Sequence, residues 1–168
     1  MRIYVVRHGA AIDRSDPKCP SEAERYLIAE GMTKTKQVAR ALAALGIFAD
    51  VMIASPYVRA WQTAEIFAGV LGYSRQKIQK TDLLLPSADV GLLFRELSRD
   101  RKSEEVFLFG HGPQVDGIVA AALGAKKNCT ELKKSGVAVL EMMRVSPPNG
   151  RLLWMAPPRL LRRVSGKA

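Results

Sequence analysis

The chain contains two histidines, and each directly precedes a glycine at the end of a short hydrophobic run. His8 stands in the motif Arg7-His8-Gly9, and His111 is followed by Gly112. Histidine can act near neutral pH as a nucleophile or as an acid and base, and arginine binds phosphate oxygens with its planar fork. Gly9 allows the backbone to turn closely beside a ligand. These residue types predict chemistry on a phosphoryl group, and a pair of structural histidines is the alternative.

Two further arginines can complete such a site. Arg59 falls in the first turns of a predicted helix, near the positive end of the helix dipole. A cation is electrostatically unfavourable there, and an anion bound nearby would reverse that penalty. Arg25 lies in a polar segment that can fold back over the first turn, and an ordinary surface arginine is the alternative for it.

Convergence of these segments would produce a strongly cationic pocket. Arg7, Arg25 and Arg59 would supply three permanent positive charges around the two imidazoles. Such a pocket suits a dianionic phosphoryl group, which arginines bind through paired hydrogen bonds. The cations would also lower the histidine pKa values, because a second positive charge nearby is disfavoured. A neutral His8 then has a free lone pair for attack on phosphorus, which implies a phosphohistidine intermediate that water hydrolyses.

Short apolar runs stand immediately before these side chains and have the β-branched and aromatic composition of buried strands. They cover residues 3–6, 51–54 and 106–109, and each ends in a polar turn. In open α/β sheets, ligands bind in the crevice outside the carboxyl ends of the strands. The sequence therefore predicts that the strand exits bring His8, Arg59 and His111 to one edge of a sheet.

The remaining pattern alternates helices with strands, which is typical of an α/β fold. We expect a surface loop over 11–24 and a hairpin of two strands near the C-terminus. Ser55 and Pro56 are predicted to be the N-cap and the first residue of their helix. The tail, 157–164, is expected to be a short helix or a surface segment. The helix after Ser55 is predicted to reach about Leu71. The other predicted helices cover 32–45, 89–98 and the segment after His111 through Ala122. The further predicted strands cover 77–81, 136–144 and 151–155.

Length and composition are those of a globular protein. The 168 residues suggest a single domain, 1–168, with enough chain for a hydrophobic core. The longest apolar stretches are too short or too interrupted to span a bilayer, and we see no signal-peptide pattern before the first strand. Cys19 and Cys129 are too few and too far apart for a disulfide framework, so we expect a cytoplasmic or otherwise reducing location.

The formal net charge of +10 indicates an anionic partner or substrate. Neither zinc-finger spacing nor an aromatic-interleaved basic motif for single-stranded nucleic acid is present. A solvated basic surface is the better interpretation, so we expect neither nucleic acid nor a membrane as partner. Part of the charge belongs to the predicted pocket, and another part lies near the C-terminus at Arg159, Arg162, Arg163 and Lys167.

Motifs are spread along nearly the whole chain, and they are MRIYVVRHGA at 1–10, Arg25-x-Leu27-x-x-x-Gly31, Ser55-Pro-x-x-Arg59-Ala-x-Gln-Thr63, Pro86-x-x-Asp89-Val90, Gly110-His111 and the closing strand with Trp154. Together they resemble those of the histidine phosphatase superfamily, which has the phosphoglycerate mutase-like fold. Within that superfamily, the chain is most similar to the small phosphohistidine phosphatases of the SixA type.

The resemblance implies a three-layer α/β/α fold with a mixed, mostly parallel central sheet and helices on both faces. It implies that His8 is the phosphorylated nucleophile, and it implies neither a metal nor another cofactor. It implies that Arg7, Arg25, Arg59 and His111 bind the phosphoryl group, and we predict Gly9 in the same phosphate-binding set. With His8, the predicted catalytic set comprises Arg7, Arg59 and His111.

Two departures from the family pattern bear on the substrate. Larger members carry a glutamate or aspartate general acid after the third strand, where this chain has only Asp82 and Asp89 nearby. We interpret these two as a turn residue and a helix cap. An alkoxide leaving group needs a general acid, whereas the labile P–N bond of phosphohistidine needs less help. Tyr26 stands where relatives often have proline, which can alter how firmly Arg25 is held.

The favoured hypothesis is a metal-independent phosphatase of protein phosphohistidine, for example in a histidine-containing phosphotransfer domain. One alternative is a phosphatase of a small phosphate ester, against which the missing acid argues. Another is a phospho-ligand binding module without turnover, which would need the arginines but not His8. Nucleic-acid binding is a fourth hypothesis, and it rests on charge alone.

Overall fold

The computed structural model describes residues 1–100 and 102–165, and a six-stranded sheet lies at its centre. The strands are β1 Arg2–Arg7, β2 Val51–Ala54, β3 Gln79–Lys80, β4 Glu105–Gly110, β5 Val137–Arg144 and β6 Asn149–Ala156. The helices are α1 Ala29–Ala44, α2 Val58–Leu71, α3 Val90–Leu97, α4 Gln114–Ala122 and α5 Pro158–Ser165. Short 3₁₀ turns cover Arg75–Lys77 and Asp82–Leu84. None of the helices in the described ranges is long and apolar enough to cross a membrane.

The sheet is mixed, with the strand order β3-β2-β4-β1-β5-β6. Neighbours from β3 to β1 run parallel, whereas β5 runs antiparallel to both β1 and β6. The register pairs Arg7 with Gly110 and Ala54 with Phe109, so β1, β2 and β4 end at the same edge. The predicted mixed, mostly parallel sheet is confirmed, and three strand exits lie beside one another.

Alternating side chains of the central strands pack into hydrophobic cores on the two faces of the sheet. On β1, Tyr4 and Val6 join the cluster that contains residues of α1, α2 and α5. Ile3 and Val5 point the other way and join the cluster built with α3 and α4. The fold is therefore a three-layer α/β/α arrangement, as the resemblance implies, and the packed strands hold their exits in fixed positions.

Some boundaries differ from those that the sequence predicts. The first helix begins at Ala29 rather than at Met32, because the Met32 N–H already donates to the Ile28 carbonyl in a helical turn. The strand predicted over 77–81 is reduced to β3, which has two residues. The tail forms α5, which packs against α1 and carries the basic side chains up to Arg163. Lys167 lies outside the described residues.

Ser55 is not the N-cap that the sequence predicts. The helix α2 begins at Val58, with Tyr57 in the N-cap position and no side-chain cap. The Ser55 side chain is completely buried instead. Its hydroxyl contacts the side chain of His111, which belongs to the pocket described next.

Candidate active site

The loops that leave β1, β2 and β4 line a pocket of about 390 Å³ at the carboxyl edge of the sheet. His8 and His111 lie side by side in it, with their ring centroids 5.1 Å apart. The two strand exits are joined directly, since the His8 N–H donates to the Gly110 carbonyl at 3.0 Å. The arginines that the sequence singles out also line this pocket, and they are Arg7, Arg25 and Arg59.

The His8 ring is held in one tautomer. Its Nδ1 lies 2.7 Å from the carbonyl oxygen of Gly9, which can only accept a hydrogen bond. Nδ1 therefore carries the proton, and Nε2 has a lone pair. The Arg59 Nε–H donates to that lone pair at 3.2 Å. Nε2 is thus the nitrogen able to attack, and Arg59 is the donor beside it.

Both imidazoles are neutral near neutral pH. Burial is the main cause that lowers the pKa of His8 to about 3; the Gly9 hydrogen bond opposes it, and the charges of Arg59, Arg7 and Lys134 lower the pKa further. Burial likewise lowers the pKa of His111 to about 3, with further lowering by His8 and the nearby arginines. A neutral imidazole is the form that can attack phosphorus, so the charge state of His8 suits a nucleophile.

The Arg7 guanidinium is fixed by the segment that precedes β5. Its Nη1 donates to the Leu132 carbonyl at 2.7 Å. That segment is tied to α4 by Asp116, whose Oδ1 accepts from the Leu132 N–H at 2.7 Å. Gly112 lies against the guanidinium, since a Cβ there would stand 3.1 Å from Arg7 Cζ. Arg7 is therefore positioned by neighbours on both β4 and β5 sides of β1.

His111 completes the pocket from the exit of β4, and its side chain is almost completely buried. Its Nε2 lies 2.8 Å from Ser55 Oγ, whereas its Nδ1 is buried and has no hydrogen-bond partner among the described residues. Arg7 Nε is buried and unpartnered in the same way. Buried polar atoms without a partner are costly, so both atoms are candidates for contact with a bound ligand.

Arg25 is anchored by the loop against which it folds. Its Nε and Nη2 donate to the Ile12 carbonyl at 3.1 and 2.8 Å. The Ile12 N–H in turn donates to the Tyr26 carbonyl at 3.0 Å. The Tyr26 carbonyl therefore supports the loop whose Ile12 carbonyl holds Arg25.

Glu22 is a pocket residue that sequence reasoning missed. Its carboxylate accepts hydrogen bonds from Arg14 at 2.9 Å, from Arg25 at 3.1 Å and from Arg59 at 2.8 Å. The hydrogen bond from Arg14 is the main cause that lowers the pKa of Glu22 to about 2, against an opposing effect of burial. A carboxylate bound to these guanidiniums competes with a phosphoryl group for the same donors. Its place three residues before Arg25 is the one signal that the sequence offers.

Gly9, which the sequence predicts in the phosphate-binding set, makes contacts with neighbouring segments in the structure. Its N–H donates to Thr63 Oγ1 at 3.1 Å, and Gly9 does not line the pocket. Close packing requires glycine there, because a Cβ would stand 2.6 Å from Thr35 Oγ1. In the structure the Gly9 carbonyl fixes the His8 tautomer, and the phosphate-binding role of Gly9 stays a prediction.

The two acid candidates are not among the residues that line the pocket. Asp89 caps α3, where its Oδ1 accepts a backbone N–H at 2.9 Å, and Asp82 begins a 3₁₀ turn. Within the described residues, the carboxylates that line the pocket are Asp13 and Glu22. Hydrogen bonds from Ser15 lower the pKa of Asp13, and that of Glu22 is also lowered. Both are ionised at neutral pH and have no proton to donate.

Arginine and lysine side chains supply the positive charge of the pocket. Arg14 and Lys134 line it together with the three predicted arginines. Neither belongs to a motif, so sequence reasoning did not single them out.

Within 1–100 and 102–165, no group of three or more His, Cys, Asp or Glu side chains could hold a metal ion.

Part of the pocket lies in a region that matches a known family. A model of the histidine phosphatase superfamily (branch 1) matches residues 3–84, a range that contains Arg7, His8, Arg25 and Arg59. An uncharacterized protein of Picosynechococcus sp. is 36% identical over 141 residues, which are 82% of this chain and 82% of that protein. The chain is therefore similar in sequence to a relative of comparable length.

Solved structures share the fold. The protein histidine phosphatase SixA, complexed with tungstate, has a TM-score of 0.85 and 24% identity, over 96% of this chain and 99% of that chain. A phosphoserine phosphatase mutant from Entamoeba histolytica, in complex with phosphoserine, has a TM-score of 0.70 and 12% identity, over 94% and 98% of the two chains. At these identities, the likeness establishes the fold alone.

Proposed function

The chain belongs to the histidine phosphatase superfamily, and on that premise we propose that it is a metal-independent phosphatase of protein phosphohistidine. The observation that carries the proposal is the neutral His8, whose Nε2 lone pair lies among arginine donors. In the proposed reaction, that nitrogen takes the phosphoryl group from the substrate and then passes it to water. Family membership supports a phosphatase, and the choice of phosphohistidine follows from the chemistry of the pocket.

The first step is the transfer of the phosphoryl group to His8. The Nε2 lone pair forms a bond to phosphorus while the P–N bond of the substrate breaks. The substrate ring, protonated on its other nitrogen, retains the bonding pair and leaves as neutral imidazole. Arg59 shifts its N–H from Nε2 to a phosphoryl oxygen, and Arg7 and Arg25 bind the remaining oxygens. Donors aimed at the charge of the transition state are the largest contribution expected in such a transfer.

The second step is hydrolysis of phospho-His8. Water attacks phosphorus, the Nε2–P bond breaks and returns its electron pair to His8, and the water proton leaves with the phosphate or to solvent. While the ring is phosphorylated it carries a positive charge, and the Gly9 carbonyl accepts its Nδ1–H. This hydrogen bond therefore stabilises the intermediate as well as fixing the tautomer.

The ionised carboxylates of the pocket favour phosphohistidine over phosphate esters. An alkoxide leaving group loses the general-acid contribution of about 10²–10⁴-fold when no carboxyl proton is at hand. Imidazole leaves far more easily, so the lack of an acid matters less for phosphohistidine. Asp13 and Glu22, both with lowered pKa values, are therefore compatible with turnover of a phosphoramidate.

The proposed partner is a protein that carries phosphohistidine, such as a histidine-containing phosphotransfer domain. Arg14 and Lys134 surround the pocket with positive charge, and the chain as a whole has a formal net charge of +10. Complementary charge accelerates the encounter with an acidic phosphoprotein. We include a cytoplasmic location in the proposal, with which the free thiols of Cys19 and Cys129 are compatible. Nucleic acid and membranes are not among the proposed partners.

The test compares a phosphohistidine-bearing phosphotransfer domain with p-nitrophenyl phosphate, each with and without a chelator. We expect faster phosphate release from the phosphohistidine protein, no effect of the chelator, and no release by His8→Asn. Preferential hydrolysis of the ester would favour a small-ester phosphatase, in line with the fold shared with the phosphoserine phosphatase. Tight binding without release would favour a binding module, and loss of activity with chelator would refute metal independence.

A further inference from the structure

Ser55 stands at the end of β2, where the sheet fixes it beside the exit of β4. Its N–H donates to the Phe109 carbonyl at 3.0 Å, which continues the pairing of the two strands. The side chain is completely buried, and its Oγ lies 2.8 Å from His111 Nε2. Because Ser55 does not cap α2, its hydroxyl is available for this contact.

The direction of the hydrogen bond follows from the other contact of the hydroxyl. The Tyr57 N–H approaches Ser55 Oγ at 3.4 Å and uses one of its lone pairs. Among the residues that the structure describes, His111 Nε2 is the one acceptor in reach of the Ser55 O–H. A buried hydroxyl hydrogen without an acceptor is unfavourable, so the Ser55 hydroxyl donates and Nε2 accepts.

The proton of the neutral His111 ring must then lie on Nδ1. That nitrogen is buried and has no partner in the described part of the chain, and its ring lies 5.1 Å from the His8 ring. We infer that Ser55 is a positioning residue: it fixes the tautomer in which His111 Nδ1–H donates to the phosphoryl group on His8. The identity of that acceptor rests on the proposed function, whereas the tautomer does not.

The opposite tautomer would place a lone pair where an anionic oxygen has to bind. Loss of the Ser55 hydroxyl would allow His111 to adopt this opposite tautomer. The charge-assisted hydrogen bond from His111 to the phosphoryl group would then be lost. We therefore expect Ser55→Ala to lower kcat/KM about ten- to hundredfold. Ser55→Thr retains the hydroxyl and should retain most of the activity.

The tautomer can be read without turnover by ¹⁵N NMR of the imidazole nitrogens. The chain has two histidines, so His8→Asn assigns the signals of His111. We expect a protonated, pyrrole-type Nδ1 and a pyridine-type Nε2 in the wild-type protein and in Ser55→Thr. Ser55→Ala should shift both signals toward the opposite tautomer. Thr35→Val is the matched control, because it removes a buried hydroxyl that contacts Ser135 Oγ at 2.9 Å and should leave His111 unchanged.

A protonated Nε2 in the wild-type protein would overturn the inference, as would an unchanged tautomer in folded Ser55→Ala. Titration with inorganic phosphate provides the second readout, and it should move the His111 Nδ1 signal in the wild-type protein. Absence of that shift would overturn the assignment of Nδ1–H as the phosphoryl donor. The predicted tautomer in a protein that hydrolyses neither substrate would refute the proposed function and leave the role of Ser55 in setting the tautomer intact.

Discussion

Replacement of Glu22 by glutamine should strengthen the binding of inorganic phosphate. The Glu22 carboxylate holds Arg14, Arg25 and Arg59, and Arg59 also contacts His8. A phosphoryl group that binds at His8 must take over some of these donors. Glutamine has nearly the same shape and still accepts a hydrogen bond, but it lacks the negative charge that repels phosphate.

The size of the effect follows from the lowered pKa of Glu22. That pKa falls from 4.5 to about 2, chiefly through Arg14 and then through Arg25 and Arg59. Each unit corresponds to about 1.4 kcal/mol. The Glu22 side chain is 39% exposed, so solvent screens part of this interaction, and we reduce the contribution to about 1–2 kcal/mol. The dissociation constant of phosphate should therefore fall about tenfold in Glu22→Gln.

Isothermal titration calorimetry with inorganic phosphate measures this change without substrate turnover. The matched control is Glu24→Gln, which removes the same charge from the same loop at a carboxylate that contacts Ser21 and does not line the pocket. We expect the control to change the affinity little. Equal or weaker phosphate binding by Glu22→Gln would refute the reasoning, and would mean that Glu22 organises the arginines instead of competing for them.

Two further predictions concern the arginine and histidine side chains. Arg59→Lys should lower kcat/KM by about 10²-fold or more, because a lysine cannot donate at once to His8 and to the Glu22 carboxylate and carbonyl. Steady-state kinetics on phosphohistidine measure this loss, and a small change would show that the guanidinium fork is unimportant. The free energy of unfolding should fall as the pH drops from about 6.5 toward about 3. Unfolded histidine has a pKa of 6.5, whereas both folded histidines have pKa values near 3. The unfolded state therefore binds more protons in that pH range. The slope of the free energy of unfolding against pH is at most about 1.4 kcal/mol per pH unit for each histidine. Urea unfolding at several pH values should give a shallower slope for His111→Asn. An unchanged slope would contradict the burial of a neutral His111 ring.

Local composition was enough to predict the strand exits. The apolar run before Arg7 and the run before Gly110 define strands by themselves, and their parallel pairing puts His8 and His111 on one edge. Local sequence also predicted Arg59, because a cation in the first turn of a helix is unfavourable unless an anion binds nearby. These residues share a local signal, namely their place at the end of a strand or the start of a helix.

The residues that sequence reasoning missed depend on contacts between distant segments. Ser55 before proline has the pattern of an N-cap, and only the pairing of β2 with β4 turns its hydroxyl toward His111. Glu22 belongs to a polar loop whose composition indicates nothing beyond exposure, and its role depends on how that loop folds over Arg25 and Arg59. Gly9 is predicted as a site residue from its motif, but the contact of its N–H with Thr63 Oγ1 depends on a distant segment.

The most direct test of the account is to trap the phosphorylated enzyme. The protein is mixed with a phosphohistidine donor, quenched in alkali, where phosphohistidine survives, and analysed by intact mass and by peptide mapping. We predict one added phosphoryl group, located on His8, lost on acid treatment and absent from His8→Asn. Full turnover by His8→Asn, or a phosphoryl group found on any residue other than His8, would contradict the central claim.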